Sequence, residues 1–116
     1  MTMIMHNPRC STSRAALENA EQAGAEVEIR HYLREPLTAD ELRDLLAKLE
    51  DAPSDLVRRD PGFAAAGLTD ADVDTAGKVI KVLLAHPELM QRPVLVRGDR
   101  AIIGRPKDRA AAFLAE

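Results

Sequence analysis

Cysteine occurs once in this 116-residue chain, at position 10. A single cysteine excludes an intrachain disulfide and fits a reducing compartment. Tryptophan is absent and the aromatic residues are few, Tyr32, Phe63 and Phe113, which leaves little to stack on single-stranded nucleic acid. No apolar run approaches membrane-spanning length and no charged-then-apolar leader is visible, so a cytoplasmic protein without a membrane partner is expected. Basic charge is not in excess either. The net charge of −3 argues against a general nucleic-acid partner, which needs a concentrated basic face. Lysine is scarce: twelve of the 16 basic residues are Arg. Arg suits forked contact with oxyanions, although high-GC coding also inflates it, so each arginine is weighed by position. His31 and His86 show no metal-like spacing with other ligand residues, and no metal site is expected.

The stretch His6-Asn7-Pro8-Arg9-Cys10-Ser11-Thr12-Ser13-Arg14 joins an apolar run, Met1 to Met5, to a segment that reads as a helix, Ala15 to Ala23. Cys10 falls where a strand gives way to a helix, beside the unpaired N–H groups of the first turn, which favour negative charge. A thiol there has its pKa lowered and exists more as thiolate, the nucleophilic form. Ser11, Thr12 and Ser13 can cap the helix or hydrogen-bond the sulfur. The same N–H groups can hold an oxyanion next to the thiolate.

Further along, Gly24 ends the first helix, and Val27 to Tyr32 alternates as a half-buried strand. Strand, helix, strand with short connections implies a right-handed βαβ unit. Thr38 and Glu41 make a capping box for a helix to about Leu49, with Leu42, Leu45, Leu46 and Leu49 as its stripe. Ser54 is expected to cap a short helix ending near Arg58-Arg59, Asp60-Pro61-Gly62 to turn, and Phe63 to Ala66 to form one helical turn. Thr69 or Asp70 opens the next helix, which stops at His86-Pro87. Val94 to Arg97 and Arg100 to Gly104 around Gly98-Asp99 read as an antiparallel hairpin. Arg105-Pro106 opens a last helix, with Pro at its first position. The sum is one α/β domain over 1–116: βαβ, a helical insert over about 38–90, then ββα, a four-stranded mixed sheet of thioredoxin-like layout.

On that layout sit His-Asn-Pro-x-Cys-x-x-Ser-Arg at 6–14, Tyr32-Leu33, Leu-Val-Arg ending at Arg58, His86-Pro87 followed by Leu-Met-x-Arg-Pro at 89–93, and Gly-Arg-Pro at 104–106. Together these resemble the glutaredoxin-dependent arsenate reductase family, the ArsC type of the ArsC/Spx superfamily, and its short branch most closely. The resemblance implies an arsenate reductase in which the Cys10 thiolate attacks arsenate, glutathione attacks the adduct, and glutaredoxin resolves the mixed disulfide so that arsenite is released. It places the oxyanion-binding arginines on Arg58, Arg92 and Arg105, with Arg59 open as the alternative to Arg58, and puts Pro93 where the fold carries a cis-proline. No bound cofactor is implied; glutathione is the external reductant, glutaredoxin the protein partner, and a monomer is expected.

The physical account runs parallel. A thiolate attacking a dianion meets like-charge repulsion, which several guanidinium groups offset. His6 either pairs with the thiolate and tunes it or is an ordinary hydrogen-bonded side chain. Ser13 either helps the thiolate or caps the helix. Arg9, Arg14, Arg97, Arg100 and Arg109 read as solvated surface charges. Two alternatives remain: a monothiol oxidoreductase that does not act on arsenate, and an Spx-like regulator binding RNA polymerase. The latter senses redox state through a Cys-x-x-Cys pair, whose second position here is Ser13.

Overall fold

Alternation along Thr2–Met5 (β1) sends Met3 and Met5 to one face and Ile4 to the other, so this strand needs apolar partners on both sides. It gets them by lying inside the sheet. β2 (Val27–Arg30) pairs with β1 in parallel, β3 (Val94–Arg97) pairs on its other side antiparallel, and β4 (Arg100–Ile103) extends β3 antiparallel, giving the order β2-β1-β3-β4. The computed structural model describes residues 1–116. In register, Ile4 faces Leu95 and Leu95 faces Ile102, a ladder under α1 (Ser11–Gln22) and α5 (Lys107–Ala115). Ala16, Ala20 and Ala110 let these two helices lie close, and Phe113 and Leu114 fill the remaining space. The opposite face, with Met5, Val94, Ala101 and Ile103, is covered by the segment between β2 and β3. That segment holds α2 (Ala39–Lys48), α3 (Pro61–Ala65), α4 (Ala76–Ala85) and 3-10 turns at Pro53–Leu56, Asp70–Val73 and Pro87–Leu89.

Local chemistry explains most boundaries. The Thr38 hydroxyl accepts from the Glu41 N–H at 3.1 Å and Glu41 Oε1 accepts from the Thr38 N–H at 2.9 Å, the expected capping box. Gly24 and Gly98 carry φ of +64° and +60° at the helix end and the hairpin turn, a backbone region that favours glycine. The outer edge of β4 is closed by Leu49–Asp51. Leu49 bridges Ala101, the Glu50 N–H donates to the Ala101 carbonyl at 2.8 Å, and Asp51 accepts from the Ile103 N–H at 3.0 Å.

Several expectations are corrected. α1 begins at Ser11, not Ala15, because Cys10 is already its extended N-cap residue (φ −97°, ψ 121°), and it ends at Gln22. β2 ends at Arg30, since the His31 carbonyl accepts from the N–H groups of Arg34 and Glu35 and turns the chain. As an edge strand it also leaves Ile29 exposed, breaking the half-buried alternation. Ser54 lies within a 3-10 turn that starts after Ala52 and stops at Leu56. Asp60 caps α3, accepting from the Phe63 N–H at 3.1 Å, so the expected turn and helical turn form one element. The segment after Thr69 splits into the Asp70–Val73 turn and α4, which Thr75 caps. Pro106 is the N-cap residue of α5 rather than its first helical residue.

Candidate active site

β1 and β4 end, and β3 begins, at one end of the sheet, so the Cys10 loop, Arg92 and Arg105 meet there. The loop is tightly tied. The Asn7 carbonyl accepts from the Cys10 N–H at 3.1 Å, and Asn7 Oδ1 accepts from the Arg9 N–H at 2.9 Å. From outside, the Arg14 guanidinium donates to the Pro8 carbonyl at 2.8 Å. Apart from Thr2, the buried polar residues of the molecule are His6, Asn7 and Ser13, all in this loop or the helix turn it feeds.

The Cys10 sulfur is itself largely buried. Burial acts to raise its pKa, yet the net shift is downward. The Ser13 N–H, the Arg92 side chain and the Thr12 N–H, together with the Arg92 charge, outweigh the loss of solvent. These N–H groups act on the sulfur's charge without closing a conventional capping hydrogen bond. The sulfur therefore sits where an anion belongs, at the start of a 12-residue helix.

Arg92 precedes Pro93 through a cis peptide bond, and Arg105 precedes Pro106 through a second one. The Arg105 guanidinium reaches the Thr12 hydroxyl at 3.4 Å, two residues along the chain from Cys10. The link between the two prolines is close: the Gly104 N–H donates to the Pro93 carbonyl at 2.8 Å. Arg58 comes from the insert. Its N–H donates to the Leu89 carbonyl at 2.8 Å and the Gln91 N–H donates back to Leu56 at 2.7 Å, so Arg58 runs alongside the segment that leads into Arg92.

Arg59 is committed elsewhere. It donates to the Ser54 and Val57 carbonyls, its guanidinium carbon lies 5.4 Å from the Phe63 ring centre, and it pairs with Asp70 at 3.4 Å. The Arg58 side chain meets only Asp60, at 3.9 Å.

Of the two readings open for His6, the structure shows the hydrogen-bonded side chain, and Ser13 acts on the sulfur through its backbone N–H. His6 Nδ1 lies 2.6 Å from the Ser13 hydroxyl, which also accepts from the Asn7 N–H at 3.1 Å. His6 is thus paired with Ser13 rather than with the sulfur, and Ser13 ties the loop rather than capping the helix. Burial, then the charges of His31 and Arg14, lower the His6 pKa, so the ring is neutral at pH 7. Of the arginines read as surface charges, Arg97 and Arg109 are half-buried ties, whereas Arg100 stays on the surface and pairs there with exposed carboxylates. Arg97 donates to the Thr2 hydroxyl and the Phe113 carbonyl, Arg100 to Glu50 and Glu116, and Arg109 to Asp51 and the Ile103 carbonyl.

Beside the loop, towards β2, lies a cavity of about 280 Å³ whose lining includes the His6 and His31 rings and the charged Arg9 and Arg34. It has no acidic lining residue. Nothing along the chain signals it, because its lining comes from two segments brought together only by the β1–β2 pairing.

A four-stranded mixed sheet, a cis-proline and a cysteine at the start of the first helix define a protein of thioredoxin-like fold. The ArsC family model matches residues 5–113. An arsenate reductase of Neisseria meningitidis serogroup A is 35% identical over 113 residues, covering 96% of both chains. The arsenate reductase of Escherichia coli K12 is 37% identical over 114 residues, 97% of this chain and 80% of that one. The solved structure of a putative arsenate reductase from Yersinia pestis superposes with a TM-score of 0.83 at 31% identity, covering 97% of this chain and 99% of that one. The chain belongs to the ArsC family.

Proposed function

We propose that the protein is an arsenate reductase whose nucleophile is Cys10 and whose reductant is an external thiol, glutathione, with glutaredoxin. The observation that carries this reading is the Cys10 sulfur held between the first-turn N–H groups of α1 and the Arg92 guanidinium, with Arg105 at Thr12. Relatives that bear the name arsenate reductase along nearly the whole chain support the same substrate.

The Cys10 thiolate attacks arsenic, an arsenic–oxygen bond breaks, and the oxygen leaves as water, carrying the proton of the arsenate and one taken up from solvent. The product is a thiol-arsenate adduct. A glutathione thiolate then attacks the Cys10 sulfur, and the sulfur–arsenic bond breaks with its electron pair left on arsenic. Arsenic(V) becomes arsenic(III), released as arsenite, while the two thiols become a mixed disulfide. Glutaredoxin attacks that disulfide and returns Cys10 to the thiol. Because no second cysteine exists in the chain, the resolving thiol has to come from outside. The basic cavity lined by His6, Arg9, His31 and Arg34 offers the carboxylates of glutathione a complementary approach. Such chemistry belongs in a reducing cytoplasm, where Cys10 stays free.

The arginines act on the first step. Arsenate is largely a dianion near neutral pH, and Arg58, Arg92 and Arg105 offset its repulsion from the thiolate and the charge that grows as the bond forms. Coupled NADPH oxidation with arsenate, glutathione and glutaredoxin tests the reading. Arsenate-dependent oxidation by the wild type, lost in Cys10→Ser, is expected; a wild type that supports none refutes it.

A further inference from the structure

Every guanidinium in the chain donates to, or pairs with, another protein group except those of Arg9, Arg34 and Arg92. Exposure does not explain the exceptions. Arg14, Arg43, Arg59 and Arg100 are exposed as well, and each finds a carbonyl or a carboxylate. Arg92 acts on Cys10. Arg9 and Arg34 come from different segments, yet both line the cavity of about 280 Å³ beside the Cys10 loop, which has no acidic lining residue.

The other walls define what fits between them. Pro8 and Leu33 are apolar, and Leu33 is 45% exposed, one of the few large apolar side chains left open to water. The His6 and His31 rings meet edge to face, with centres 5.8 Å apart, and bring no negative charge. A matching ligand carries separate anionic groups on a short, partly apolar body. Carboxylates suit, because each offers a guanidinium fork two oxygens.

The cavity also stands in the right place. Its wall of Asn7, Pro8 and Arg9 runs straight into Cys10, and the Cys10 N–H donates to the Asn7 carbonyl at 3.1 Å, so the wall folds back against the cysteine. Successive Cα atoms lie about 3.8 Å apart and a tripeptide spans at most about 10 Å. A tripeptide with its carboxylates in the cavity therefore has its thiol within reach of Cys10, which keeps 7% of its surface open.

We propose that this cavity seats the resolving thiol: Arg9 and Arg34 each take one carboxylate of glutathione, Pro8 and Leu33 pack against its backbone, and the pair of guanidiniums selects a thiol with two carboxylates over neutral thiols. The proposal rests on the reading of Cys10 as a nucleophile resolved by an external thiol. The covalent step is unchanged: the glutathione thiolate attacks the Cys10 sulfur, and the sulfur–arsenic electron pair stays on arsenic. What the cavity adds is position and choice of thiol.

The probe is S-methylglutathione, which keeps both carboxylates and cannot attack the sulfur, and its binding is followed by NMR at the three histidines. The wild type is expected to bind it with shifts at His6 and His31 and none at His86, which does not line the cavity. Arg9→Ala and Arg34→Ala are each expected to raise Kd about fivefold to tenfold, the scale for an exposed but forked ion pair. The diethyl ester of the probe is expected to bind the wild type no better than the probe binds the variants. Both variants are expected to keep the wild-type Tm, since neither side chain has a partner to lose. A wild type that does not bind the probe, an ester that binds equally well, or variants that bind like the wild type overturns the proposal. Arsenate that displaces the probe overturns it too, by giving these guanidiniums to the oxyanion. Arsenate-dependent NADPH oxidation separates the two readings: oxidation by a wild type that does not bind the probe overturns the cavity proposal alone, and no oxidation by a wild type that binds it removes arsenate and keeps the thiol site.

Discussion

His6 Nδ1 lies 2.6 Å from the Ser13 hydroxyl, and that hydroxyl oxygen accepts the Asn7 N–H at 3.1 Å. The Asn7 N–H donates to the serine oxygen, and the tautomer of His6 sets which partner donates in the His6–Ser13 bond. Three buried residues on the strand end, the loop and the helix are thereby locked together under the cysteine.

Ser13→Ala breaks this lock. It strands the buried Asn7 N–H and one His6 nitrogen, and a loss of about 1–3 kcal/mol in unfolding free energy is expected, measured by urea denaturation. The thiol pKa is expected to stay near the wild-type value, since the group that acts on the sulfur is the Ser13 backbone N–H, which alanine retains. A large rise in the alkylation pKa of this variant would show the hydroxyl acting on the sulfur directly.

Folding stability is expected to rise with pH in two steps. His6 has its pKa lowered from the ordinary 6.5 by burial, then by His31 and Arg14, so the unfolded chain takes up its proton at a higher pH than the folded one. Its contribution is present above pH 6.5 and is lost as pH falls through the folded value. Cys10 is likewise depressed from the ordinary 9.0, the Ser13 N–H, Arg92 and the Thr12 N–H outweighing burial, so its contribution is complete above pH 9.0 and is lost as pH falls through the folded thiol value. Urea unfolding over this range should show both steps in the wild type and only the lower one in Cys10→Ser. A Cys10→Ser variant that keeps the upper step would contradict an activated thiolate.

The neighbours Arg58 and Arg59 should separate activity from stability. Arg59 is spent on two carbonyls, Phe63 and Asp70, so Arg59→Ala should lower unfolding free energy by about 1–2 kcal/mol and leave kcat unchanged. Arg58 has only the long contact to Asp60, so Arg58→Ala should change stability by less than about 0.5 kcal/mol while reducing arsenate turnover about 100-fold. Steady-state kinetics beside denaturant titration decides; the reverse pattern would give the site to Arg59.

Gly104→Ala should damage both properties together. A Cβ there would stand 2.8 Å from Leu95 Cδ1, 2.9 Å from Pro93 Cγ and 3.3 Å from Ala110 Cβ. Overpacking of this kind costs about 1–3 kcal/mol, and relief by moving the strand end also moves Arg105 away from Thr12. Lower Tm with weaker arsenate turnover is expected. Gly77→Ala is the control: nothing lies within 4 Å of its added Cβ, and stability is expected to rise by up to about 1 kcal/mol.

What the sequence by itself determined is what neighbours along the chain can decide. Thr38 and Glu41 are three residues apart and cap α2 on their own; Gly98 turns the β3–β4 hairpin within four residues; Cys10 between an apolar run and good helix formers had to stand at a helix start. Only the tertiary structure decided contacts between residues far apart in sequence. Arg105 meets Thr12 across 93 positions, Arg59 is held by the Ser54 and Val57 carbonyls while Arg58 keeps only a long contact to Asp60, and Arg97 and Arg109 became ties rather than surface charges. The physical reason is reach: propensity and capping act within about a turn of helix or a hairpin, whereas a buried phenol left without a partner, or a guanidinium brought to a sulfur, exists only after the sheet has closed and the solvent has gone.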